Sequence, residues 1–157
     1  MNARIIHNGN LVDELCKLFD NAQASITILQ YAFEIRAHIP TRIKMIANAI
    51  LSAADRGVNI RILINTKHGV APDSIDAVNL AEYIRHPNIH LYYHRSTQVM
   101  HAKAIIVDND KIVIGSHNLT RTSLYSSLNI SVIIIDHELA RAMHALVFPL
   151  FEASKNG

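Results

Sequence analysis

The stretch MHAKAIIVDNDKIVIGSHNLT, residues 100–120, sets His101 two positions before Lys103 and returns, after an apolar run, to Gly115, Ser116 and Asn118. A buried strand gains nothing from an imidazole and an ammonium, because each costs free energy unless paired. Their types point to work on an anion. Imidazole is a nucleophile or a proton carrier near neutral pH. Lysine supplies a fixed positive charge for a phosphoryl oxygen. The Asn118 amide and Ser116 hydroxyl add donors, and Gly115 lets the backbone come close. The chain has no Walker-type Gly-Lys-Ser and no acidic run suited to Mg²⁺. The outline is a phosphoryl site with no metal and no cofactor.

These side chains meet only if the chain doubles back. Asp108-Asn109-Asp110 has turn chemistry between two apolar runs, which predicts an antiparallel hairpin symmetric about Asn109, give or take one residue. That register sets Gly115, Ser116 and Asn118 beside His101 and Lys103. Residues two apart share a strand face, with α-carbons roughly 6.5–7 Å apart. The turn lies on the order of 15 Å away, so Asp108 reads as a turn or structural carboxylate.

The remaining elements form a scaffold for the hairpin. ARIIH reads as a strand, and LVDELCKLFDNA spaces Leu11, Leu15 and Leu18 as a helix does. SITILQYAF is strand-like. TRIKMIANAILSAADRG puts Ile43, Ile46, Ala47, Ile50 and Ala54 on one helical face, with Thr41 as a cap and Gly57 as a stop. VNIRILIN follows as a strand. DSIDAVNLAEYIR is a helix capped by Asp73 or Ser74 and stopped by Pro87; NIHLYYH and VMHAKAIIVD are strands. KIVIGS and NISVIIID are strands too, and HELARAMHALVFPLFEA is a closing helix. Helix followed directly by strand, twice, makes this an α/β layered fold, read as a single domain over residues 1–157.

Composition narrows the setting. Half of the 157 residues are hydrophobic and 18% are charged, a globular balance. The formal net charge of +2 permits a polyanionic partner without demanding one. The one cysteine, Cys16, cannot form an intrachain disulfide and reads as an inert packing thiol. Neither a signal-peptide core nor an 18-residue apolar run is visible, so a cytoplasmic protein without membrane contact is expected. His86, His90 and His94 are spaced four apart, but Pro87 and the strand-like HLYY argue against a helical metal site. HELARAMH is not HExxH, because Arg141 occupies the second histidine position. Lys67 and His68, at a strand end beside a Gly-containing loop, and Arg121, directly after Thr120, are candidate nucleic-acid backbone contacts.

His101-x-Lys103-x4-Asp108-x6-Gly115-Ser116-x-Asn118 matches every fixed position of the HxKx4Dx6GSxN motif, and over residues 10–150 the chain resembles the phospholipase D superfamily, in particular its small single-motif nucleases. The resemblance implies a mixed central β-sheet with helices on both faces. It implies that His101, Lys103 and Asn118 are catalytic and that Ser116 and Gly115 support them. His117, at the variable position, is expected to be a packing neighbour. The family often has a Glu about eleven residues after the motif Asn, bonded to the motif histidine; here that position is Asn129. An Asn orients an imidazole without stabilising its charge, and Glu34 is the candidate replacement for that charge.

Family members cleave phosphodiesters through a phosphohistidine, with a second motif histidine as acid. One motif on a short chain therefore implies a homodimer with His101 from both copies at one site. Nucleic acid, DNA first, is the expected substrate, and a further protein partner is the expected source of any specificity. The alternatives are a phospholipase or phosphatidyl-transferring enzyme, and a nucleic-acid-binding subunit with a degenerate site.

Overall fold

The structure is a computed structural model; it describes residues 2–7, 9–35, 41–66 and 75–154. Twelve elements follow in order: β1 (Asn2–His7), α1 (Leu11–Asp20), β2 (Ser25–Gln30), α2 (Thr41–Asp55), β3 (Asn59–Asn65), α3 (Ile75–Tyr83), β4 (Ile89–His94), β5 (Ala104–Val107), β6 (Lys111–Gly115), α4 (Arg121–Tyr125), β7 (Ile130–Ile135) and α5 (His137–Ala153). The strands form one seven-stranded sheet in the order β1-β7-β6-β5-β2-β3-β4. β2, β3 and β4 run parallel, whereas β5, β6, β7 and β1 join through antiparallel pairings.

Both faces are covered. α1 presents Leu11, Val12, Leu15 and Phe19 at helical spacing, with Asp13 and Glu14 at its N-terminal end and Lys17 near its C-terminal end, as the helix dipole favours. With Ile43, Ile46 and Ile50 of α2 and Leu80 of α3, they pack on Ile28, Ile60, Ile62, Ile105, Val113 and Ile133 of the sheet. Each such buried side chain is worth roughly 1.5–3 kcal/mol over exposure. α5 covers the opposite face, with Ala140, Val147 and Phe151 against Leu29, Leu63, Ala104, Ile106 and Ile112. β3 lies between two strands and under helices on both sides, which explains its unbroken run ILIN.

Local stops work as their chemistry demands. Gly57, at φ 91°, closes α2 with its N–H on Ala54 O at 2.9 Å. Asp136 caps α5, accepting from Leu139 N at 3.0 Å. The capping roles expected of Thr41 and of Asp73 or Ser74 fall outside the described side chains. Cys16 is half-buried; burial, with Asp20 and Asp13 nearby, pushes its thiol pKa up.

The structure differs from the sequence reading in several elements; the strand read over SITILQYAF, for one, ends at Gln30. The strand expected over VMHAKAIIVD enters regular pairing only at Ala104, because Met100 N–H is diverted to Asn65 Oδ1 at 2.9 Å. α3 ends at Tyr83, short of Pro87. The short helix α4 was not legible, since five residues give too little periodicity.

Candidate active site

The hairpin register is symmetric about Asn109. Ala104 faces Ile114 and Val107 faces Lys111, and one step further Gly115 N–H donates to Lys103 O at 3.3 Å. Asp108 and Asn109 both have positive φ, 53° and 50°, and Asp110 N–H closes the turn on Val107 O at 3.0 Å. Those signs are those of the primed turns that match strand twist.

At the open end of the hairpin the chemistry-bearing side chains gather. His101 is exposed and Lys103 half-buried. Lys103 Nζ stands 3.4 Å from His101 Nδ1 and donates to His101 O at 2.9 Å. The Tyr31 ring lies 4.9 Å from the His101 ring and 5.3 Å from Lys103 Nζ, centroid distances that walls the pair on one side. Desolvation lowers the Lys103 pKa. Tyr31 was missed in the sequence, although an aromatic at the end of β2 was its signal.

The Gly-Ser-x-Asn turn is held by β7 and α4. Ser116 Oγ donates to Asn129 Oδ1 at 2.9 Å and accepts from Ile130 N at 3.1 Å. Asn129 is buried, and its Nδ2 donates to Ser123 O at 3.1 Å. Ser123 Oγ in turn accepts from Asn118 N at 2.9 Å. Asn129 thus ties Ser116 to Ser123 and fixes the backbone that carries Asn118. Glu34 joins the same loop through its backbone, N–H to Leu119 O at 3.0 Å, so it stands at the strand end beside the motif.

Gly115 has a steric cause. A Cβ there would fall far inside contact distance of Ser131 Oγ and Ile130 O, and 2.5 Å from Ser131 Cα. His117 is buried, with Nδ1 and Ser131 Oγ 2.8 Å apart. Burial pushes its pKa down.

Asp108 sits at the other end of the hairpin. Its Oδ1 accepts from Ala24 N at 2.8 Å and Ser25 N at 3.0 Å, and its Oδ2 from Gln23 N at 3.0 Å. Burial alone would raise its pKa; the backbone hydrogen bonds from Ser25, Ala24 and Gln23, with the Lys111 charge, outweigh that and hold it below the usual value.

Arg121 is exposed at the first turn of α4, after the Thr120 cap. Lys67 and His68 lie outside the described residues. His86 bonds Asp55 across 3.2 Å and His94 bonds Gln98 O across 2.9 Å. Among the described residues no three His, Cys, Asp or Glu side chains are grouped as a metal site. Among them, too, no helix is long and apolar enough to cross a membrane.

The family described as cardiolipin synthase, PLD-like domain, matches residues 15–147. The chain belongs to that family, and with it to the phospholipase D superfamily of phosphodiesterases. Among solved structures, Nuc from Salmonella typhimurium, a phospholipase D family member, is 22% identical, with a TM-score of 0.77 over 99% of this chain and 94% of its own. NucT from Helicobacter pylori is 17% identical, with a TM-score of 0.78 over 96% of each chain. TrmBL2, an archaeal chromatin protein described as showing a novel mode of DNA binding, is 15% identical; its TM-score is 0.61 over 98% of this chain and 53% of its own. No curated protein matches.

Proposed function

We propose that the protein is a nuclease that cleaves nucleic acid, DNA first, through a phosphohistidine at a site completed by a second copy of the chain. The observation that carries this reading is the Lys103 ammonium 3.4 Å from the His101 imidazole at an open sheet end, beside the Gly115–Asn118 turn. The fold shared with Nuc and NucT supports it.

In the first step an imidazole nitrogen of His101 attacks phosphorus, and the bond from phosphorus to the leaving oxygen breaks. The leaving oxygen takes a proton from the partner copy's His101. That histidine, now neutral, removes a proton from water. The hydroxide oxygen bonds to phosphorus, the P–N bond breaks, and His101 is restored. Lys103 and Asn118 stabilise the charge on the non-bridging oxygens. Ser116, its hydroxyl engaged by β7, acts by holding the turn. Arg121 contacts the nucleic-acid backbone.

Two catalytic roles and one motif call for the second copy, and an exposed apolar row on the sheet supports it. Ile5, Val132 and Ile114 are direct cross-strand neighbours on one face. Ile5 is 74% and Ile114 45% exposed, a contiguous apolar row next to Gly115 and Ser116.

The test is incubation with plasmid, single-stranded DNA, RNA and phosphatidylcholine vesicles, with and without EDTA. Cleavage of nucleic acid in EDTA is expected. Activity confined to the vesicles would replace the nuclease with a lipid hydrolase. Loss in EDTA with rescue by Mg²⁺ would remove the phosphohistidine route.

A further inference from the structure

On the face covered by α1, Gln30 of β2, Lys103 just before β5, Gly115 of β6 and Ser131 of β7 form one row across the sheet. Gly115 faces Ser131 across β6 and β7, and Gly115 N–H reaches Lys103 O at 3.3 Å. The β2–β5 pairing descends from Ile26↔Val107 to Leu29↔Ala104, so the next step puts Gln30 opposite Lys103. Gln30, Lys103, Gly115, Ser131 and His117, with Leu11 and Leu15 of α1, are among the residues that line a cavity of about 10 Å³. That is close to the space one water needs.

Two of the residues that line it each carry a buried polar atom without a partner among the described residues: Gln30 Oε1 and His117 Nε2. Both residues are 3% exposed. A buried polar atom left unsatisfied is costly, so two at one cavity need an explanation. His117 Nδ1 and Ser131 Oγ are 2.8 Å apart. If the serine hydroxyl donates, the ring carries its proton on Nε2, and the cavity receives one donor from His117 and one acceptor from Gln30. A cation is disfavoured by Lys103 and an anion by the Gln30 carbonyl oxygen. A neutral molecule that both donates and accepts suits both.

We propose that this cavity is a single-water site. The water accepts from His117 Nε2–H and donates to Gln30 Oε1. Lys103 lines the same cavity. Gln30, His117 and Ser131 are then positioning residues: they give the partly desolvated lysine a fixed polar neighbour and hold its ammonium toward His101. Gly115 is part of the device, because its missing Cβ leaves room for the Ser131 hydroxyl. This rests on Lys103 being the phosphate-binding cation of the proposed nuclease.

The test has two independent arms on the full chain. In ¹⁵N-histidine-labelled protein, His117 should show an unprotonated Nδ1 and a slowly exchanging Nε2–H with cross-relaxation to a long-lived water. Gln30→Leu should abolish that water signal. On a synthetic phosphodiester, bis-p-nitrophenyl phosphate, Gln30→Leu and Ser131→Ala should lower kcat about tenfold with KM little changed, below the roughly 10²-fold cost of a 1 Å misplacement. Melting temperature is followed in parallel, and Ser131→Ala serves if Gln30→Leu does not fold. An unprotonated Nε2, no water contact in wild type, or unchanged kcat in the folded variants would overturn the inference. A bound water in a protein that hydrolyses no phosphodiester would support the cavity site and overturn the nuclease.

Discussion

At the closed end of the β5–β6 hairpin, the Asp108 carboxylate accepts from three consecutive backbone N–H groups, Gln23, Ala24 and Ser25. At the open end, His101 is exposed and Lys103 reaches past it with its ammonium beside the ring. Both ends carry residues of one sequence motif. At the closed end hydrogen bonding is saturated, so the charge is committed to holding β2 against the hairpin. At the open end the imidazole keeps capacity for a ligand. Motif membership therefore does not assign a role, whereas the state of the polar atoms does.

The largest expected effect is at the open end. His101→Ala and Lys103→Ala should each lower turnover on the order of 10³-fold, the range of acid–base and charge catalysis, with melting temperatures close to wild type. A comparable loss in Asp108→Asn without unfolding would erase the contrast between the ends.

Gly115→Ala joins the two regions and should destabilise by about 3 kcal/mol or more, since the added Cβ meets backbone as well as the Ser131 hydroxyl. Thermal unfolding measures this. A melting temperature within a degree of wild type would mean that β7 yields easily.

Asp108→Asn should cost roughly 1–3 kcal/mol and leave kcat per folded molecule intact. Its pH signature has a defined sign. The folded pKa is depressed, so the stabilisation is complete above the ordinary value of 3.8 and is lost as pH falls through the lower folded value. Acid titration of stability should therefore be shallower in Asp108→Asn.

His117 acts in a higher window. Its pKa is lowered by burial, so the unfolded chain binds the proton first, and stability declines as pH falls below the ordinary 6.5. Lys103 is the charged group that shares its cavity. Chemical denaturation at pH 7.5 and 5.5 should show a smaller loss for His117→Phe than for wild type.

The smallest effect tests the shared site. Subunit exchange of wild type with an equal amount of His101→Ala chains should lower activity per wild-type chain to about half, because random pairing leaves half of those chains in hybrids. Ile114→Glu, in the exposed apolar row, should shift the protein toward monomer by sedimentation. Constant activity at every mixing ratio, with exchange verified, would mean that each chain works alone.

The hairpin was legible in the sequence because its determinants are local. Asp108-Asn109-Asp110 can only turn, and the apolar runs on either side fix which residues face each other. The α/β layering was legible from periodicity for the same reason. Asn129 was expected near an imidazole; its bond to Ser116 joins the ends of β6 and β7, and its bond to Ser123 depends on the unanticipated helix α4.

What the sequence by itself determined is the identity and register of the motif side chains, since turn chemistry and alternation act over a few residues. The tertiary structure decided what each motif residue touches. Asp108 meets residues 23–25, and Gln30 stands opposite Lys103, because β5 pairs antiparallel with β2, far away in sequence. No local pattern encodes that pairing: β-branched strands are chemically alike, and strand order follows from which arrangement buries both faces under α1, α2 and α5.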